Sequence, residues 1–176
     1  MPVLIAAVVL LGALCLLNLL LTFGIVRKLR ARGDRHFDAA VDDLVLPTGS
    51  AVPDFAAVTA AGERVTRDGL GETLFGFFSP DCGACKERLP TFVAVAAKAN
   101  GRSVLAVLHG DADETREQAA ALAGVAHVVV EPEDGPLGLG LAVTGYPVFG
   151  LIAADGTLTA TGLDPGKLPL GRALSV

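Results

Sequence analysis

The sequence predicts an α/β domain, a mixed central sheet with helices on its faces, carried behind one transmembrane helix. Three observations point there. Strand and helix patterns alternate from about residue 52 onward and end in a hairpin. An uncharged apolar run fills residues 1–26. Cys82 and Cys85 stand where a buried strand gives way to a helix.

The apolar run comes first. Residues 3–26, "VLIAAVVLLGALCLLNLLLTFGIV", would extend roughly 36 Å as a helix, enough to cross a hydrocarbon core of about 30 Å with some tilt. No basic residue precedes the run and no small-x-small cleavage pattern follows it, so an uncleaved anchor in contact with membrane lipids fits better than a signal peptide. Cys15, with no second cysteine near it, reads as an ordinary apolar residue of that helix. Arg27, Lys28, Arg30, Arg32 and Arg35 follow directly. By charge bias alone they place the following domain in the cytoplasm. A cluster that only holds the helix end at anionic headgroups leaves the side open.

The whole chain carries 14 Lys/Arg and 19 Asp/Glu; with those five bases and Asp34 set aside, residues 36–176 keep nine basic and eighteen acidic side chains. An acidic domain lacks the basic footprint that nucleic-acid binding needs, so no nucleic-acid partner is expected. Residues 27–51 read as a basic juxtamembrane segment and linker containing Pro47, Gly49 and Ser50, and residues 52–176 as the folded domain.

Within that domain, "DFAAVTAAGERVT" reads as a hairpin turning at Ala61-Gly62, and "TLFGFFS" (73–79) as a buried strand. A helix is expected from Cys82 to Ala99, stopping before Asn100-Gly101. "SVLAVLH" (103–109) is a second strand, "DADETREQAAALAG" (111–124) a helix ended by Gly124, and "HVVV" (127–130) a short strand. "YPVFGLIAADGTLTATG" gives two strands joined at Asp155-Gly156. The tail, "LDPGKLPLGRALSV", contains Pro165 and Pro169 and reads poorly as a long closing helix.

Cys82 and Cys85 sit at the strand-to-helix junction. Free N–H groups and the helix dipole there stabilise a thiolate at the first, more exposed cysteine. A spacing of three puts both sulfurs on one face of the first turn, close enough to close a disulfide. Cys82 would then attack a partner disulfide and Cys85 would resolve the mixed disulfide. Lys86 and Arg88 add positive potential or form a solvated helix face. Other readings are weaker. A structural zinc site wants four ligands, and His36, His109 and His127 have no paired spacing, so no metal is expected. Haem attachment needs histidine where Lys86 stands. Two inert buried cysteines remain the plain alternative, against which the helix-start position argues.

Together these residues resemble the thioredoxin fold, and within it the membrane-anchored thiol-disulfide oxidoreductases of the TlpA/ResA type, which share ancestry with the AhpC/TSA peroxiredoxins. Pro90 occupies the place of the proline that kinks the active-site helix, and "VTGYPVFGLIAADGTL" resembles the segment bearing the family's cis-proline, here Pro147. "VPDFAAVTAAGERVT" is similar to the branch's N-terminal hairpin, and "DADETREQAAALAG" to part of its inserted helix. "FFSPDCGACK" is also similar to the MauD-type accessory proteins of methylamine dehydrogenase maturation. The resemblance implies a protein-disulfide reductase with a redox-active Cys82–Cys85 disulfide and no other cofactor. Gly145 and Tyr146 would lie at the substrate groove beside Pro147, the Tyr146 ring forming either a wall of that groove or plain packing. Its partners would be client proteins bearing disulfides or thiols and an upstream thiol-disulfide electron donor, and its domain would face the extracytoplasmic side of a single-pass cell-membrane protein.

The departures have chemical consequences. Asp81 stands where thioredoxins carry tryptophan, and its carboxylate either raises the Cys82 thiol pKa or caps the helix. Thioredoxin's buried acid would fall at Gly76, so that proton acceptor is missing. ResA-type proteins place a glutamate where Arg88 stands, leaving water or Glu87 to take the Cys85 proton. A peroxiredoxin with antioxidant activity is the rival enzyme, but Phe75 occupies its motif's proline place and only Arg116 and Arg172 could supply its arginine. A membrane-tethered binding module with a permanent disulfide is the non-enzymatic alternative.

Overall fold

The structure, a computed structural model, describes residues 5, 10–12, 14–16, 43–99 and 101–170. The chain divides into two units, Met1–Phe37 and Asp38–Val176. In the first, Ile5, Leu10, Leu11, Leu14 and Leu16 are helical and exposed. The rest of the expected membrane span, residues 1–26, and the basic segment after it lie outside the described residues. Among the described residues no helix is long and apolar enough to cross a membrane.

The second unit is built on a five-stranded sheet in the order β5-β4-β3-β6-β7, formed by β3 (Thr73–Phe78), β4 (Ser103–His109), β5 (His127–Glu131), β6 (Val148–Ile152) and β7 (Leu158–Gly162). The first three run parallel, and β6 and β7 add antiparallel to them. All six residues of β3 are buried, as expected of a central strand covered on both faces. Its side chains alternate between two cores: Phe75 and Phe77 enter one, Leu74 and Phe78 the other. This is the mixed α/β, thioredoxin-like architecture.

A separate hairpin, β1 (Ala56–Val58) and β2 (Arg64–Thr66), turns through Gly62 at a φ of 83°, a conformation that favours glycine. Its turn is pinned to the sheet by a hydrogen bond from Ala60 N–H to the Val128 carbonyl (2.7 Å), which occupies part of the open edge of β5. The β6–β7 turn is likewise made by local chemistry: the Asp155 carboxylate accepts from Thr157 N–H at 2.8 Å, and Gly156 takes a φ of 84°.

The helices depart from the sequence reading at their ends. The first is a single turn not anticipated, α1 (Arg67–Leu70), capped by Thr66, whose hydroxyl accepts from Gly69 N–H. The next, α2, spans Gly83–Ala96 rather than reaching Ala99, because the last turn tightens into bonds from Lys98 to Val95 and Ala99 to Ala96. The following helix, α3 (Arg116–Leu122), starts five residues later than expected. There the Asp111 carboxylate accepts from Asp113 N–H (2.8 Å) and Glu114 N–H (2.9 Å), giving the backbone a turn in place of a helix. A further short helix, α4 (Pro136–Gly140), was also not anticipated, since three glycines lie among residues 135–140 and only Pro136 at its first position favours it. A 3-10 turn at Pro165–Lys167 follows β7.

Residues 43–51, assigned from sequence to the linker, instead pack onto the domain. Val45 is 3% exposed, and Leu46 N–H donates to the Leu141 carbonyl at 2.8 Å. Gly49 N–H donates to Leu158, Leu158 N–H to Ser50, and Val52 N–H to Gly156, so this segment lines the free edge of β7 and the turn before it. The apolar residues of "DLVLP" carry too little periodicity to show that on their own.

Candidate active site

Because β3, β4 and β5 are parallel and β6 antiparallel, four chain segments meet at one edge of the sheet. The turn carrying Cys82 leaves β3 there, β4 ends at His109, β5 ends at Glu131, and Tyr146-Pro147 leads into β6. The register confirms the meeting: Phe77 pairs with Val148, Phe78 with Leu108, and His109 with Glu131. Carboxyl ends of parallel strands are where α/β sheets build their sites.

Cys82 and Cys85 form a disulfide with a Cα–Cα distance of 5.1 Å. Cys85, in the first turn of α2, is fully buried in the core, whereas Cys82 is part-exposed. Cys82 is itself the N-cap of α2: its sulfur accepts from Cys85 N–H at 3.1 Å. Asp81, expected to cap the helix, is exposed and does not do so; its backbone lies one residue too early for its side chain to take that place. On the other side, Cys82 Sγ lies 3.5 Å from the Tyr146 carbonyl oxygen. The Tyr146–Pro147 peptide bond is cis, with Pro147 buried and Gly145 and Tyr146 part-exposed. The loop is held from behind: Thr144 N–H donates to the Leu44 carbonyl at 2.9 Å, and a Cβ on Gly145 would meet Leu44 Cδ2 at 2.7 Å.

The surroundings revise several expected roles. Lys86 and Glu87 are exposed, and among the described residues no hydrogen bond joins Glu87 to either cysteine. Glu87 is therefore not placed as the acceptor of the Cys85 proton, since Cys85 points into the core. Arg88 is not simply a solvated residue. Its guanidinium pairs with Asp164 at 2.8 Å, tying α2 to the 3-10 turn after β7. Pro90 lies inside α2, where it cannot donate to the Lys86 carbonyl. The Gly76 place is filled by Phe78, Phe92 and Phe149, whose ring centroids lie 5.3–5.5 Å apart. Of the two arginines considered for a peroxidatic site, Arg116 pairs with Asp113 on the surface, and Arg172 lies outside the described residues.

Sequence reasoning passed over His109 and Glu131 as site residues. Their side chains are 2% and 4% exposed, and His109 Nε2 lies 3.5 Å from Glu131 Oε1. Glu131 accepts from Leu137 N–H (3.1 Å) and Gly138 N–H (2.7 Å), both in α4. The His109 ring lies 4.8 Å from that of Tyr146, centroid to centroid. Burial lowers the His109 pKa from its ordinary value, against the pull of Glu133 and the Pro132 carbonyl. Burial raises that of Glu131, against its two backbone donors. Tyr146 is raised by burial and then by the nearby Glu133 and Glu131. The available signal was positional: His109 ends an expected strand, and Glu131 directly follows the short strand expected over 127–130, which the structure extends by that one residue. Beside them a cleft of about 500 Å³ opens, lined by Ser79, Pro80, Asp81, His109, Gly110, Asp111, Glu114, Pro132 and Glu133. No cluster of three or more metal-ligating side chains occurs among the described residues.

A disulfide-bonded cysteine pair stands at the head of a helix and faces a cis-proline across the end of this sheet, in a thioredoxin-like fold. Known structures agree on that fold. A candidate thiol:disulfide interchange protein, DsbE, from Chlorobium tepidum superposes with a TM-score of 0.52 at 29% identity, covering 66% of this chain and 85% of that one. The thioredoxin domain of a thiol-disulfide oxidoreductase from Bacteroides vulgatus gives 0.56 at 18% identity over 66% and 88%. A secreted Mycobacterium tuberculosis disulfide oxidoreductase homologous to E. coli DsbE gives 0.53 at 22% over 60% and 80%. No protein-family model and no curated protein matches the sequence. The structural neighbours are thus thiol-disulfide oxidoreductases of the thioredoxin fold.

Proposed function

We propose that this chain is a membrane-anchored thiol-disulfide oxidoreductase of the TlpA/ResA type, in which Cys82 and Cys85 reduce or exchange disulfides in client proteins. One observation carries the reading. Cys82 Sγ occupies the N-cap acceptor position of a 14-residue helix, 3.1 Å from Cys85 N–H, while its partner sulfur is fully buried. A thiolate formed there keeps that N–H bond and the helix dipole. The exposed sulfur is the one a client reaches.

The cycle balances as follows. The Cys82 thiolate attacks one sulfur of a client disulfide, forming a Cys82–client bond and releasing the other client sulfur as a thiolate. Cys85 loses its proton to solvent or to the departing thiolate and attacks Cys82 Sγ. This breaks the mixed disulfide, releases the second client thiol and leaves the Cys82–Cys85 disulfide. Two electrons have passed to the client, and a thiol donor upstream must return them. Gly145, Tyr146 and Pro147 would offer the client backbone an edge beside the reacting sulfur. The uncharged run at residues 3–26 supports the anchor, and the family resemblance supports a domain on the extracytoplasmic side with dedicated clients there.

The test is turnover of a disulfide-linked peptide by the reduced full-length chain. Cys82→Ser is expected to abolish exchange, and Cys85→Ser to accumulate a mixed disulfide visible by non-reducing mass spectrometry. Unchanged turnover in Cys82→Ser would sink the assignment of the nucleophile. A disulfide that resists dithiol reductants would favour a structural crosslink instead.

A further inference from the structure

We propose that His109, packed beside Glu131, is a positioning residue for disulfide exchange: its ring carries Tyr146, and Tyr146 sets where its carbonyl meets Cys82 Sγ. The inference rests on the thiol-disulfide reading above.

The chain of contact is continuous. Glu131 is fixed at both oxygens by the Leu137 and Gly138 N–H groups at the start of α4, and His109 Nε2 stands 3.5 Å from the same carboxylate. Neither His109 ring nitrogen closes a hydrogen bond of ordinary geometry, although both are buried. Packing therefore holds the ring more than polar contact does. Phe77 lies on one side, with centroids 5.7 Å apart, and Tyr146 on another at 4.8 Å. The fit around the pair depends on two glycines. A Cβ on Gly138 would meet His109 Cε1 at 2.8 Å, and one on Gly135 would overlap the Glu131 side chain. These contacts fix the height of the Tyr146 ring, and through it the carbonyl 3.5 Å from Cys82 Sγ.

That carbonyl acts against the Cys85 N–H. An acceptor beside the sulfur favours the protonated thiol, whereas the N–H favours the thiolate. The 145–147 edge is also the surface on which a peptide client would lie. A disturbed Tyr146 therefore weakens peptide binding and, by withdrawing the carbonyl, makes the Cys82 thiol more acidic. A small disulfide that does not lie along that edge is spared the first effect.

The experiment uses the full-length chain in detergent and two oxidants: a cystine-containing peptide and oxidised glutathione. His109→Ala should raise KM for the peptide about three- to tenfold, the factor an aromatic contact of this kind is worth. Oxidised glutathione should be reduced within about twofold of the wild-type rate. The pH midpoint of Cys82 alkylation, read on the Cys82 peptide by mass spectrometry, should fall. In a Tyr146→Ala background the KM effect of His109→Ala should disappear. Gly138→Ala, which pushes on the His109 ring without removing a polar group, should also raise the peptide KM and supplies the answer if His109→Ala does not fold. Equal losses on both oxidants, or an effect undiminished without Tyr146, would reduce His109 to ordinary core packing and overturn the inference. A wild type inactive on both oxidants would overturn the thiol-disulfide reading and this inference with it. An active wild type with unaltered His109→Ala and Gly138→Ala variants would overturn this inference alone.

Discussion

Gly76 offers a demanding test of how the site is built. The family resemblance puts a buried acid at this position, and here there is neither acid nor side chain. A Cβ at residue 76 would lie 2.8 Å from Phe92 Cε2, 3.0 Å from Phe149 Cδ1 and 3.1 Å from Phe78 Cε2. Carbon atoms in good contact sit about 3.5–4.0 Å apart, so each ring would have to retreat by roughly 0.4 Å or more. None has room, because all three are 0% exposed and pack on one another. Overpacking of this kind costs about 1–3 kcal/mol. Replacing glycine within a strand returns about 0.5–1 kcal/mol. Gly76→Ala should therefore lose roughly 0.5–2 kcal/mol, read as a lower urea midpoint at unchanged m-value in far-UV circular dichroism. Gly76→Asp should lose about 3 kcal/mol or more, since a carboxylate there would be buried among aromatic rings. A Gly76→Ala variant as stable as the wild type, or a folded Gly76→Asp variant with faster exchange, would refute the argument that the phenylalanines have taken the acid's place.

Burial holds His109 below its ordinary pKa, so the unfolded chain takes up that proton first as pH falls below about 6.5. The stability from neutral His109 is complete above that pH and is lost on acidification. Glu131, raised by burial, has the opposite sign: its protonation favours the folded state as pH falls toward 4.5. The stability advantage of wild type over His109→Asn should thus shrink from pH 7.5 to pH 5, with Glu131 common to both; an advantage constant with pH would contradict it. For topology, an extracytoplasmic domain predicts that a membrane-impermeant thiol reagent labels Cys82 in intact cells after mild reduction, in a Cys15→Ala background. Labelling only after lysis would place the domain in the cytoplasm, as the arginine cluster implies.

Much of the domain was legible because its signals are local. Asp155-Gly156 specifies its own turn through one carboxylate and one positive φ, and an uninterrupted apolar run marks β3 as central. The Cys82–Cys85 spacing at a strand-to-helix junction pointed to the chemistry proposed, and the alternation of strand and helix with a terminal hairpin pointed to the mixed sheet. Helix ends were read less well, since a side chain such as that of Asp111 can divert the backbone from within an otherwise helical pattern. What the sequence could not supply was adjacency. His109 and Glu131 are 22 residues apart, one ending an expected strand and the other directly after one; only the pairing of β4 with β5 makes them neighbours. Tyr146 reaches Cys82 across 64 residues through the antiparallel docking of β6 on β3. The same holds for the strap from Asp43 to Ala51 and the phenylalanines over Gly76. Residue type and spacing determine which groups can carry thiol chemistry. Strand order and register, set by burial on both faces of the sheet at once, decide which of them meet.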